Sequence, residues 1–370
     1  MRKIYLHIGF GKTGSSALQS WLSLNTSVLE KQGIDYADLV PEAKFGQVSA
    51  GNGYVLFQAF QQQDFVEVER LITSSYFFSA NNNIAIISCE LLKDLPKLSI
   101  QKLKDICERN AISVSPIAYF RSVYEHSYSA YLQGLKRSQA THYFGEESSD
   151  FRFPTIVKYV EKYLEVFGDD FTILNYDEAK KDIYTSFSDV TGIHRKSIKK
   201  LRKKVNRSLT MEEAETLRRI NTIHKGIFSN IISDHLIHSK PNLATTVFYD
   251  AVLVNKMRAD AGEKIEWINR QFNLSCPLAV DFYTGQESDN TVVLQRKSFK
   301  FIVRWAMNFN PNDALIADFA IFLHDFANFM GEFSRRDAQA LRKRLSSVQK
   351  DLAARNLGVR GERPPGETTL

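Results

Sequence analysis

The first nineteen residues constrain this chain more than any other stretch. Lys3-Ile4-Tyr5-Leu6-His7-Ile8 is an apolar run, Gly9-Phe10-Gly11-Lys12-Thr13-Gly14-Ser15-Ser16 supplies glycines, a lysine and hydroxyls, and Ala17-Leu18-Gln19 opens a helical pattern. A strand, a glycine turn and a helix in that order predict the start of a βαβ unit, with the turn at the carboxyl edge of a parallel sheet. Such a turn directs backbone N–H groups, a helix N-terminus and an ammonium at one point, which suits a phosphate or sulfate.

The remaining pattern extends this unit. Residues 16–24 read as a helix with Leu18, Trp21 and Leu22 on one face, and 41–63, rich in Gly, Gln and Asn, as a loop over the site. Residues 83–89 form a continuous apolar run, the mark of a strand buried on both faces. A helix over 98–110, a strand over 114–120, a helix over 122–135, a surface loop over 136–154, a helix over 156–167 and a strand over 171–176 follow. Pro116 is tolerated only near the start of its strand or at an edge. The expected fold is α/β, a P-loop-type three-layer arrangement with a central parallel sheet flanked by helices. From about Thr210 the pattern is helical. We expect a catalytic domain over 1–290 and a helical extension over 291–357, built from the apolar block Phe299–Met330 and a charged helix over Arg335–Asn356. The tail 358–370, with Gly361, Pro364, Pro365 and Gly366, is expected to be disordered.

Composition limits the partners. The net charge of +6 and pI near 9.0 favour anionic partners without choosing among nucleotides, acidic glycans, nucleic acids and membrane surfaces. Three cysteines (Cys89, Cys107, Cys276), none in a C-x-x-C pair, argue against a disulfide framework or zinc site and fit a reducing compartment. The first strand begins at about Lys3, leaving no room for a signal peptide, and no apolar run reaches the length of a membrane span; a cytoplasmic location is expected.

The spacing of the opening loop narrows the ligand. A nucleoside-triphosphate loop, G-x-x-x-x-G-K-[ST], would need glycine at Leu6. Gly11-Lys12-Thr13-Gly14-Ser15-Ser16 instead resembles the 5′-phosphosulfate loop of sulfotransferases, K-[TS]-G-[TS]-[TS], which grips 3′-phosphoadenosine 5′-phosphosulfate (PAPS). Further on, a strand ends at Arg121 and Ser129 follows eight residues later on a helix. An arginine fork and a hydroxyl suit a phosphate monoester, and the pattern resembles the sulfotransferase motif for the 3′-phosphate of PAPS; Ser127 replaces Ser129 if the helix phase differs. Ile87-Ser88-Cys89-Glu90-Leu91-Leu92, Asn206-Arg207-Ser208-Leu209 and Thr172-Ile173-Leu174-Asn175-Tyr176-Asp177 resemble segments of bacterial carbohydrate sulfotransferases. The resemblance spans about residues 3–280. Ser15-Ser16 replaces the commoner Thr-Thr, and Cys89 stands where Ser is usual.

This resemblance implies transfer of a sulfuryl group from PAPS to a hydroxyl of a glycan or glycolipid, with no metal required. Gly11, Lys12, Thr13, Gly14, Ser15, Ser16, Arg121, Ser129 and Arg207 would bind the co-substrate, and Lys12 would stabilise charge on the departing phosphate. Glu90, at a strand's carboxyl end, is the expected base, with His7 and His126 as rivals. Other classes stay open: a P-loop small-molecule kinase, or a non-catalytic nucleotide-binding scaffold. Asp234, His235 and His238 read as exposed helix residues rather than a metal site. The basic run 195–207 carries Ile198, Leu201 and Val205 at helical spacing. It reads as an amphipathic helix with a solvated basic face, or else as a track for an anionic glycan or membrane surface. No nucleic-acid module is present, so nucleic acid is not an expected partner.

Overall fold

The structure is a computed structural model that describes residues 1–38, 50–151, 153–199, 201, 207–224, 228–241, 243, 248–281, 292 and 294–361. The chain runs β1 (Arg2–His7), α1 (Ser15–Leu24), α2 (Thr26–Glu30), β2 (Ile34–Asp35), α3 (Tyr54–Gln61), α4 (Phe65–Thr73), β3 (Ile84–Ser88), α5 (Lys97–Arg109), β4 (Ile112–Phe120), α6 (Val123–Arg137), α7 (Phe153–Phe167), β5 (Thr172–Asn175), α8 (Tyr176–Ala179) and α9 (Ile183–Thr191). Helices follow from there: α10 (Met211–Ile223), α11 (Phe228–Ser239), α12 (Ala251–Gln271), α13 (Arg296–Asn308), α14 (Ile316–Met330) and α15 (Arg335–Gly361). Among the described residues, no helix is long and apolar enough to cross a membrane.

The strands form one parallel sheet in the order β2-β3-β1-β4-β5. Side chains alternate between its two faces, as the pleat requires. Ile4 and Leu6 of β1, Ala85 and Ile87 of β3, and Ala118 and Phe120 of β4 join one apolar cluster with helices α3, α4, α5 and α7. Ile86 and the β4 pair Ile117 and Tyr119 join the other, against Leu18, Trp21 and Leu22 of α1 and Phe187 of α9. This is a three-layer α/β arrangement. The strand order reverses direction at β1, which puts the switch point, where ligands of such sheets bind, at the loop after His7.

Pro116 sits inside central β4, opposite Leu6 of β1. β5 begins to pair one residue later, with Ile117 opposite Thr172, so the missing N–H interrupts no bond to β5.

Three segments depart from the sequence reading. Tyr54–Gln61, expected as loop, is helix α3: Leu56, Ala59 and Phe60 bury one face, and flanking Gly and Gln residues hide that periodicity. Residues 39–49 lie outside the described residues. The basic run does not begin as a helix. Arg195–Ser197 makes a single 3₁₀ turn and Ile198 is extended, because the Lys199 N–H donates to Asn25 Oδ1 at 2.8 Å and Ile198 and Leu201 pack under the sheet. Lys200 and 202–206 lie outside the described residues. Finally, α15 runs to Gly361, past the boundary expected at 357, and 362–370 lie outside the described residues. The helices after residue 291 are continuous with the main core: Phe299, Trp305, Phe319 and Phe322 belong to the same apolar cluster as Ile4.

Arg207, expected in the co-substrate site, is instead a structural residue. It is buried, and its Nη1 and Nη2 donate to Glu213 Oε2 and Oε1 at 2.7 and 2.9 Å. Nε donates to the Lys240 carbonyl at 2.6 Å, Nη1 to that of Ser208 at 2.9 Å and Nη2 to that of Leu236 at 3.0 Å. A guanidinium has five N–H donors, and all are engaged, so none is left for a ligand. Glu213 also closes a capping box with Thr210 at the start of α10, and the pair thus locks α10 to the end of α11. Arg207→Ala leaves that carboxylate without its partner and should lower stability by about 3–5 kcal/mol. Urea unfolding of the two proteins checks this, and a loss below about 1 kcal/mol would contradict the assignment.

Candidate functional site

The loop from Gly9 to Gly14 turns through the left-handed region three times, at Gly11 (φ 76°), Lys12 (φ 55°) and Gly14 (φ 79°). Two glycines are required by contact. A Cβ on Gly9 would stand 2.4 Å from Ser15 Oγ and 2.9 Å from Glu90 Cγ; one on Gly14 would meet Ile183 Cδ1 at 2.9 Å and Tyr176 Cε2 at 3.1 Å. The loop is therefore pressed between the end of β3 on one side and α8–α9 on the other. Gly14 precedes α1 with no side-chain cap, so the first N–H groups of the helix, from Ser15 on, have no intrahelical acceptor.

Three charged side chains meet at this loop. Lys12 reaches α6, where its Nζ donates to Gln133 Oε1 at 2.8 Å. Burial lowers the Lys12 pKa, the Glu90 carboxylate opposes that, and Arg121 and Arg137 push it down further. Arg121 emerges from the end of β4, donates to the Lys12 carbonyl at 3.3 Å and lies 5.6 Å from the ring centre of Tyr176 at the start of α8. Glu90 follows β3 and opens a 3₁₀ turn over Glu90–Asp94; its Oε2 comes within 4.0 Å of where a Cβ on Gly11 would stand. Ser129 is half-buried on α6, four residues before Gln133 and hence on the same helix face. The Ser122 N–H at the head of α6 donates to Asp177 Oδ2 at 2.7 Å, which fixes that helix against the end of β5.

The polar groups at the centre lack partners. Among the described residues, Thr13 Oγ1, Ser15 Oγ and Arg121 Nε are buried without a hydrogen bond. Buried polar groups are nearly always satisfied. Two hydroxyls and a guanidinium N–H left open around an ammonium and a helix start are what a bound oxyanion would complete. The donor set thus fits an oxyanion such as phosphate or sulfate.

The rival histidines separate. His7 is fully buried, shares a 2.8 Å hydrogen bond with Ser88 Oγ through Nδ1, and meets the rings of Tyr119 and Phe187 edge-on at 6.1 and 5.9 Å. Burial pushes its pKa down to about 4. It is a packed core imidazole beneath the loop, out of reach of an acceptor. His126 lies three residues before Ser129, on the same face of α6 but buried. Ser127 is also buried, on a different face of α6, and its Oγ makes no hydrogen bond among the described residues. Asp234 holds Arg137 with both oxygens, at 2.5 and 3.1 Å, and His235 lies against Phe301, ring centres 4.9 Å apart. Among the described residues, no group of three or more His, Cys, Asp or Glu is placed to hold a metal ion.

Gln133, Tyr176 and Asp177 are site residues that sequence reasoning did not single out. Gln133 had a usable signal, its spacing of four from Ser129; the other two follow directly on β5, whose carboxyl end faces the site. A scan against protein-family models, a search of curated proteins and a search of solved structures found no match for this chain.

His7 makes the site's foundation sensitive to acid. Its pKa is about 4 in the fold against about 6.5 in the unfolded chain, so only the unfolded chain takes up the proton between these values. Stability present above pH 6.5 is therefore lost as pH falls toward 4, by roughly 3 kcal/mol. Urea midpoints measured across that window should fall more steeply for the natural chain than for His7→Gln; parallel curves would rule the effect out.

Proposed function

We propose that this chain is a PAPS-dependent sulfotransferase that modifies a hydroxyl of a glycan or glycolipid. One observation carries the reading: at the carboxyl end of a parallel sheet, the loop that holds Lys12 and the arginine that donates to its carbonyl carry buried hydroxyl and guanidinium donors without acceptors. Thr13, Ser15, Ser16 and the N-terminus of α1 would hold the phosphosulfate, and Arg121 with Ser129 the 3′-phosphate. PAPS, when bound, supplies an activated sulfuryl group whose bridging oxygen departs with the 5′-phosphate.

Each residue role follows from charge and place. The acceptor oxygen forms a bond to sulfur, the bond from sulfur to the bridging oxygen breaks, and the acceptor proton goes to a base. Lys12 faces the phosphate on which charge grows, and fixed donors of this kind are worth about 3 kcal/mol each. Glu90 lies against the loop and acts on the Lys12 charge, which supports it as the base that takes the proton.

Calorimetry discriminates this reading from a kinase. Adenosine 3′,5′-bisphosphate should bind at least about tenfold more tightly than ATP with magnesium; the reverse preference would favour a kinase. Turnover on a glycan panel separates an enzyme from a non-catalytic scaffold. Because Arg121 addresses the 3′-phosphate, Arg121→Ala should weaken the bisphosphate by about 2 kcal/mol and plain AMP far less. Equal losses would remove that role.

Glu90→Gln preserves volume but cannot accept the proton. Turnover should fall by ~10²–10⁴-fold while bisphosphate affinity holds. Near-normal turnover in that variant, with loss in His126→Asn, would transfer the role to His126.

A further inference from the structure

α6 carries one charge that the site as described does not use. Lys136 is 4% exposed, and among the described residues it makes no hydrogen bond or ion pair. The charges acting on it are Lys12, Arg137 and Arg207, with Asp234 as the opposing carboxylate. Those carboxylates are already committed. Asp234 is held in both oxygens by Arg137, Glu213 by Arg207, and Glu90 faces Lys12. Lys136 is the cation of this group with no ion pair or hydrogen bond of its own among the described residues, and Asp234, held by Arg137, acts on it only at longer range. Burial first, and then Lys12 and Arg137, push its pKa down to about 8. A buried ammonium in such company is unfavourable unless a ligand brings an anion to it.

Position along the helix says where that anion comes from. Ser129, Gln133 and Lys136 succeed one another on α6, and Lys136 lies ~10 Å beyond Ser129 along the axis. Lys12 touches the helix between them, at Gln133. Arg121 and Ser129 stand at the end assigned to the 3′-phosphate and Lys12 at the transferred group. Lys136 therefore lies about one turn past Gln133, on the side of Lys12 away from Ser129.

We propose that Lys136 binds an acidic substituent of the acceptor, a carboxylate or an ester sulfate, so that this chain acts on anionic rather than neutral glycans. The proposal rests on the sulfotransferase reading above. An ammonium suits this task because it is a compact charge that accepts either oxyanion without a fixed fork geometry.

The test is calorimetry on the full chain saturated with adenosine 3′,5′-bisphosphate. A heparin-derived tetrasaccharide, carrying carboxylates and sulfates, is titrated against a neutral chitin-derived tetrasaccharide. The acidic probe should bind at least about tenfold more tightly. Lys136→Met should weaken it by ~10-fold or more, Lys136→Arg should keep most of the affinity, and bisphosphate affinity should hold within about twofold. The melting temperature of Lys136→Met should equal or exceed that of the natural chain, since an unpaired buried charge is removed. Equal binding of the two probes by the natural chain overturns the proposal, with no variant needed. So does a Lys136→Met protein that loses bisphosphate affinity instead, which would assign Lys136 to the co-substrate. A natural chain that binds no bisphosphate at all defeats the sulfotransferase reading itself, and this inference with it, by a separate measurement.

Discussion

Two hydrogen bonds from one residue hold the site together. The Lys12 carbonyl accepts from Arg121 Nη1, and the Lys12 ammonium donates to Gln133. The first ties the loop after β1 to the end of β4; the second ties it to the middle of α6. Between them, Lys12 adopts a left-handed backbone that a non-glycine residue takes only when its surroundings over-determine it. Release of either bond would let the loop relax and separate the ammonium from the buried hydroxyls of Thr13 and Ser15.

Behind the loop lies a buried polar network that sets the position of Glu90. Ser88, the last residue of β3, shares its hydroxyl with His7 and Gln19. Its N–H donates to Asn52 Oδ1 at 2.7 Å, while Asn52 Nδ2 donates to the Ile86 carbonyl. Gly51 permits this approach, because a Cβ there would stand 2.0 Å from the Ser88 carbonyl. The strand end is thus held from both sides before the chain turns into Glu90. Apart from His7 Nε2, which is buried without a partner among the described residues, these groups are hydrogen-bonded to one another, and such a support keeps a carboxylate aligned.

The cations around α6 show how a site of one sign is tolerated in a folded chain. Arg207 and Arg137 each receive a carboxylate from another helix, and Lys12 receives Glu90 at longer range. Arg121 Nε and Lys136 receive none among the described residues. The pairing is uneven: Arg207 and Arg137 have direct carboxylate partners, while Lys12 and Lys136 meet Glu90 and Asp234 only at longer range. The helices α10 and α11 supply Glu213 and Asp234, so the C-terminal half of the chain acts on the field at the loop as well as on the core.

The sequence by itself was enough for the parallel α/β alternation, the glycine loop between β1 and α1, and the emergence of Arg121 and Glu90 at strand ends. Local patterns decide these: apolar runs make buried strands, glycines make turns, and a parallel sheet collects the turns at one edge. It was also enough to set Ser129 on the helix that follows Arg121, which is α6 in the structure. What it could not decide is which polar residues are satisfied. Arg207 sits in a motif that resembled a ligand site, yet distant carbonyls and Glu213 occupy every donor it has. Residue 136 opened the expected surface loop, yet α6 continues to Arg137 and packing buries Lys136. His7 was an open rival for the base until Tyr119 and Phe187 closed over it. Such outcomes depend on contacts between residues tens to more than a hundred positions apart, and only the tertiary fold brings those together.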